Sequence, residues 1–113
     1  MANIKQYVLT HDFSYEIVVD VDHDILTEAK LVELEMFWGD GEARIAQFGP
    51  LNAFLRRFAA RFFAESVSSL APKALFNAGR IEGFPAVDGS AGLLVRSYDE
   101  FEFTAEDVDV LEI

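Results

Sequence analysis

Cysteine is absent from all 113 residues. That removes disulfides, thiolate metal sites and cysteine nucleophiles, and it permits a reducing, cytoplasmic location. No stretch offers the roughly 18 uninterrupted apolar residues of a membrane span. Met1 to Thr10 holds one lysine and no apolar run, so no secretory signal is expected. Basic residues are scarce as well: nine Lys and Arg stand against twenty Asp and Glu, for a net charge of −11. Binding to nucleic-acid phosphates relies on Lys and Arg releasing counterions, and anionic lipid attracts the same cations. Neither nucleic acid nor membrane is therefore an expected direct partner.

What is present suits a folded core. Hydrophobic residues make up 51% of the chain and aromatics 13%, far from the composition of disorder. Eleven phenylalanines dominate the aromatics, and each one buried contributes about 1.5–3 kcal/mol. A length of 113 residues predicts a single domain over 1–113.

Charge is sorted along the chain. Residues 1–24 carry −4, 25–42 carry −4, 43–80 carry +5, 81–96 carry −1 and 97–113 carry −7. Arg44, Arg56, Arg57, Arg61, Lys73 and Arg80 crowd the middle against one acid, Glu65. The stretch after Arg96 has seven acids and no base. Such sorting governs solubility and which partners the field attracts, and does not define a reaction.

Periodicity orders the elements. Residues 4–10 and 15–22 read as a β-hairpin, with Tyr15, Ile17, Val19 and Val21 alternating with Glu16, Val18, Asp20 and Asp22. His11-Asp12-Phe13-Ser14 supplies its turn. A helix capped by Asp24 or Thr27 is predicted to run to about Trp38, with Leu31, Leu34 and Trp38 on a buried stripe beside Val32 and Met36. Gly39 suits a left-handed C-terminal cap, and Asp40 would cap a short helical turn through Ala46. Leu51, Phe54, Leu55, Phe58 and Phe62 make residues 50–67 the clearest helix, with Pro50 in its first turn. Residues 68–79 read as a helix end and an irregular connector. Leu93, Val95 and Ser97 alternate as a strand that Phe101 and Phe103 continue, and Val108, Val110 and Glu112 suggest one more. The result is an α+β fold: an antiparallel sheet of three to four strands with two to three helices packed on one face, in the order β-β-α-α-β-β.

Four local features invite chemistry, and each has a plainer explanation. Asp20-Val-Asp22-His-Asp24 resembles the opening of a calcium loop, but Ile25 and Leu31 stand where the glycine and the bidentate acid belong. An acidic strand face followed by capping carboxylates accounts for it. His11 and His23 have no HExxH, serine elbow or third partner near them, so solvated turn residues are expected. Asp88-Gly89-Ser90-Ala91-Gly92 lacks the ending of a phosphate loop and enters a strand, so it reads as a turn. Arg56, Arg57 and Arg61 form the dense basic patch. A phosphate or acidic partner would suit it, yet the excess of acids predicts pairing with the protein's own carboxylates.

The acidic C-terminal run is the more suggestive feature. Asp99, Glu100, Glu102, Glu106, Asp107 and Asp109 interleave with Phe101, Phe103, Val108 and Val110. On a strand, same-face carboxylates stand ~6–7 Å apart, close to the phosphate spacing of a nucleic-acid strand. Together with Asp20 and Asp22 they would present a surface able to occupy a basic groove on another protein. A solvated strand face is the bland alternative. The aromatics raise a further expectation: Phe63 lies about 100° from Phe62 around its helix, so Phe63, Trp38 or Phe76 would be exposed for self-association unless residues 40–48 cover them.

Val21-Asp22-His23-Asp24-Ile25-Leu26-Thr27-Glu28, then Phe37-Trp38-Gly39 and Gly83-Phe84-Pro85-Ala86-Val87-Asp88-Gly89-Ser90-Ala91-Gly92, resemble a small uncharacterised family of acidic proteins from proteobacteria, their phages and mobile elements. The family has no assigned activity, so the resemblance transfers no residue role. It implies a mobile-element setting, where small acidic proteins often inhibit host defence, CRISPR effectors included. The expected function is a non-enzymatic binding protein without a cofactor or metal, engaging a protein with a basic, nucleic-acid-binding surface, with a homodimer as an open possibility. The alternative is a small-molecule or metal-dependent enzyme with its site at the Asp20–Asp24 and Asp88–Gly92 loops.

Overall fold

Among the described residues the elements run in the order β-β-α-α-α-α-β, with two more helices and one strand fewer than the β-β-α-α-β-β order expected from the residues. The computed structural model describes residues 2–12, 15–100 and 105–113, with only the backbone of Asp107. Strands β1 (Ile4–His11) and β2 (Tyr15–Asp22) form the hairpin. Helices α1 (Glu28–Met36), α2 (Gly41–Phe48), α3 (Pro50–Ser68) and α4 (Pro72–Asn77) follow, then β3 (Leu93–Tyr98) and a single 3-10 turn at Ala105–Asp107. The sheet is antiparallel in the order β1-β2-β3. The α+β architecture expected from the residues is therefore the one observed.

The core forms on one face of the sheet. Ile17, Val19 and Val21 of β2 and Leu93 and Val95 of β3 are buried, and so are Phe54, Phe58 and Phe62 of α3. Phe58 stands 5.7 Å from Phe62 and 5.4 Å from Phe76 of α4, and Phe62 stands 4.9 Å from Tyr98 of β3, centroid to centroid. The Phe58–Phe76 and Phe62–Tyr98 contacts are edge-to-face, a geometry that adds about 0.5–1.5 kcal/mol each beyond area burial. The α3 stripe is thus the spine to which α4 and the sheet attach.

Several expectations are refined. Residues 68–79 are not wholly irregular, because Pro72 opens α4 and Phe76 anchors it in the core. The cap of α1 is Thr27, whose hydroxyl accepts from the Lys30 N–H. Gly39 does not take the left-handed conformation. Instead the Gly41 N–H bonds the Trp38 carbonyl and the chain turns tightly between α1 and α2. Asp40 makes no side-chain cap bond to α2. The α1 stripe buries Leu31 and Glu35, while Met36 is exposed and Leu34, Val32 and Trp38 are half-buried. No strand forms at Val108–Glu112, and the continuation through Phe101 and Phe103 lies outside the described residues. Phe63 and Phe76 are buried: His11 and Tyr15 cover the first, Phe58, Phe62 and Phe84 the second. Among the described residues the aromatic left outside is Phe37, at 54% exposure.

The tight α1–α2 turn sets a steric test. A Cβ at Gly41 would lie 2.1 Å from the Glu35 carbonyl oxygen, whereas one at Gly39 would meet nothing within 4 Å. Gly41→Ala should therefore cost about 3 kcal/mol or more, the upper range of overpacking, while Gly39→Ala is tolerated. Thermal melts of the two variants check this.

Candidate functional site

Two surfaces and one buried charge cluster hold the residues with chemical potential. The cluster is formed where α1, the α1–α2 turn and α3 meet. Glu35 is fully buried. Its Oε1 accepts from Arg57 Nε at 2.7 Å and lies 2.6 Å from the second Arg57 donor, Nη2. That Nη2 also reaches Asp40 Oδ1 at 2.5 Å. Arg44 Nε stands 4.0 Å from Glu35 Oε1, and Glu35 Oε2 has no hydrogen-bond partner among the described residues. The Arg57 guanidinium also lies 5.0 Å from the Trp38 ring, in the position for a cation–π contact.

Burial works against the charge on Arg57, but hydrogen bonds to Glu35 and Asp40 outweigh it and raise its pKa. The hydrogen bond from Arg57 lowers the pKa of Asp40. Arg61 pairs with Glu65 at 2.7 Å. Pairing with the protein's own acids thus holds for Arg57 and Arg61 and fails for Arg56. The Arg56 Nε donates to Asn52 Oδ1 at 2.7 Å, and its guanidinium lies 4.3 Å from the Phe48 ring. Among the described residues no carboxylate pairs with it.

The predicted acidic residues divide into two groups. Asp20 lies on the sheet face away from the helices, where it accepts from Gln6 Nε2 at 3.1 Å and meets Arg96 at 3.2 Å. Asp22 is half-buried and its Oδ1 accepts the Asp24 N–H. Asp99 accepts the Glu16 N–H at 2.9 Å, and the Asp99 N–H bonds the Glu16 carbonyl. Asp20, Asp22 and Asp99 are therefore tied to the body of the protein. Glu100, Glu106 and Asp109 are exposed and form no ion pair among the described residues. Glu102 and the Asp107 side chain lie outside the description. Around these acids the C-terminal segment shows its apolar side chains to solvent, with Val110 94% and Leu111 83% exposed.

A groove of about 460 Å³ runs between β1 and α3. Tyr7, Leu9 and His11 line one wall and Leu51, Leu55 and Arg56 the other. No acid lines it, in a chain where acids outnumber bases by more than two to one. The sequence signal for this groove was weak, since it depends on a strand and a helix forty residues apart.

The remaining candidates fall into place as structure. His23 is half-buried, with Nε2 2.9 Å from the Tyr7 hydroxyl, and is not the solvated turn residue expected. His11 packs against Phe63 at 5.8 Å and lies 3.7 Å from Asp12. The Asp20–Asp24 and Asp88–Gly92 loops do meet, through the Asp22 N–H bonded to the Gly92 carbonyl at 2.9 Å. The Asp22 and Asp88 carboxylates are turned to local caps, and Asp20 is held by Gln6 and Arg96. Ser90 donates both N–H and hydroxyl to Asp88 Oδ1, which lowers the Asp88 pKa. Among the described residues no three metal-ligating side chains converge, and no helix is long and apolar enough to cross a membrane.

With that geometry in place, comparison with known proteins is informative. Residues 16–113 match the family described as "Protein of unknown function (DUF2528)". The chain is 35% identical over 107 residues to Protein ea10 of Escherichia phage lambda, covering 88% of each chain. The same identity and coverage relate it to the Lambda prophage-derived protein ea10 of Escherichia coli O6:H1. No solved structure matches.

The Glu35–Arg57 pair generates two expectations. Arg57→Met leaves a buried carboxylate without its cation and should cost about 3–5 kcal/mol, whereas the double variant Glu35→Leu/Arg57→Met should recover most of the loss. Denaturant titrations of both check it. Asp40, with its lowered native pKa, contributes stability that is present above the ordinary carboxylate range and is lost as pH falls through the lower native value. Melting temperature should accordingly fall more steeply in native protein than in Asp40→Asn as the pH drops below the ordinary carboxylate range.

Proposed function

The chain belongs to the DUF2528 family and has phage and prophage relatives, and from that premise we propose that it is a non-enzymatic binding protein. Its acidic C-terminal segment engages a bacterial or phage protein with a basic, nucleic-acid-binding surface and competes there with nucleic acid. An inhibitor of a host defence nuclease, an anti-CRISPR protein for example, is one form such competition takes.

The observation that carries this reading is the uneven use of charge. Arg57, Arg61, Arg96 and Lys30 are paired with acids of the protein's own body. Glu100, Glu106, Asp109 and Glu112 stand exposed and form no ion pair among the described residues. They share a segment with exposed Val108, Val110, Leu111 and Ile113. Exposed carboxylates confer long-range attraction and a salt-sensitive on-rate, and apolar side chains between them supply contact area once docked.

A pull-down from nuclease-treated bacterial lysate at low salt tests the reading, run with native protein and with a variant carrying Glu106→Gln, Asp109→Asn and Glu112→Gln. The expected outcome is a captured protein that the variant fails to retain and that added DNA oligonucleotide displaces. Equal capture by both proteins overturns the assignment, as does direct binding of the oligonucleotide to the purified chain. Association with the identified partner should slow by about tenfold or more between low and physiological salt.

A further inference from the structure

We propose that the groove between β1 and α3 is a docking site for the C-terminal segment, residues 105–113, of a second copy of this chain, which adds as a strand to the outer edge of β1 in a reciprocal dimer. This goes beyond the reading above: the groove is a separate surface, while its guest is the same acidic C-terminal segment, so the dimer and the heterologous partner compete for that segment.

The edge of β1 is open to addition. It is an outer strand of the sheet. The His23 N–H bonds the Asn3 carbonyl at 2.9 Å, and Ile4 stands opposite Asp22. The odd-numbered positions of β1 are therefore the ones bonded to β2. Alternation then turns the N–H and C=O of Ile4, Gln6, Val8 and Thr10 outward, and no described strand takes them up. Such an edge is a template for β-augmentation, in which main-chain bonds give affinity and alternate side chains enter the adjoining pockets.

The groove beside that edge selects the occupant. Leu9, Leu51 and Leu55 make it apolar, and Arg56 gives it a fixed positive charge with no acid among the lining residues. The guest that fits is extended, apolar and acidic. Val108-Asp109-Val110-Leu111-Glu112-Ile113 has that composition. Its apolar side chains are exposed in the single copy, so it does not occupy the groove of its own chain. Beyond the 3-10 turn at Ala105–Asp107, residues 108–113 supply six residues to pair along the eight of β1. Exchange between two copies would place a tail in both grooves and close the assembly with two-fold symmetry.

Sedimentation equilibrium of the full chain over a range of concentrations is the test. The expected result is a monomer–dimer equilibrium that is abolished by deleting residues 105–113. Ala60→Glu, at an exposed position of α3 that lines the groove, should keep the fold by circular dichroism and raise the dimer dissociation constant at least about tenfold, equivalent to 1.4 kcal/mol. Arg56→Glu should do the same. Mixing Arg56→Glu with a chain carrying Asp109→Arg and Glu112→Arg should restore a heterodimer. A monomeric mass at all concentrations overturns the proposal, including the case in which the tail folds back on its own groove. So does a dimer indifferent to Ala60→Glu. Because Ala60→Glu leaves the tail acids intact, heterologous capture by that variant separates failure of this proposal from failure of the functional reading.

Discussion

One buried ion pair organises the helical half of the molecule. Glu35 on α1 has no contact with solvent, and its charge is answered by Arg57 on α3, twenty-two residues away. The same guanidinium reaches forward to Asp40 in the α1–α2 turn. A buried charge pair is weak evidence of net stability, since desolvation of both ions offsets most of their attraction. Its strength is directional: a planar donor fork accepts carboxylates in few arrangements. With α1 and the turn both held to one side chain of α3, the phenylalanine stripe of α3 has a defined orientation toward the sheet. The core residues on β2 and β3 can then meet Phe54, Phe58 and Phe62 without competing registers.

The division between what the residues disclose and what they conceal follows the reach of each interaction. Tyr15 to Asp22 alternates with period two, and Leu51 to Phe62 repeats at helical spacing, so β2 and α3 are legible from neighbours alone. Thr27 and Pro50 mark their helix starts by local chemistry. Glu35 was concealed because it occupies a position that helical periodicity assigns to an apolar residue, and its partner is distant in the chain. Arg56 was misjudged for a related reason: an excess of acids says nothing about which arginine finds one, and Asn52 and Phe48 lie nearer. Helix α4 was missed since six residues offer too little periodicity. The exposed aromatic proved to be Phe37, one position before the tryptophan considered, because the helix ends at Met36.

For function, composition pointed to the C-terminal acids, and the fold sorts them further. Asp20, Asp22 and Asp99 have internal roles in the sheet and its loops. Glu100, Glu106 and Asp109 do not, and they share a segment whose apolar residues face water. That pairing of acidic and apolar exposure could not be read from charge counts, which treat all seven acids alike. Nor could the acid-free groove, which exists only once β1 and α3 are side by side.

The single tryptophan acquires a use from its surroundings. Trp38 lies beneath the Arg57 guanidinium, with Phe37 at 5.0 Å and Phe84 at 5.6 Å across its ring. It is half-buried at the junction of α1 and α2. A cation held over an indole shifts its emission, so the tryptophan fluorescence of this protein originates at the one place where α1, α2 and α3 are joined. Local loosening of that junction would be visible in the tryptophan emission, without any added dye, while the β1–α3 groove and the acidic tail hold no tryptophan.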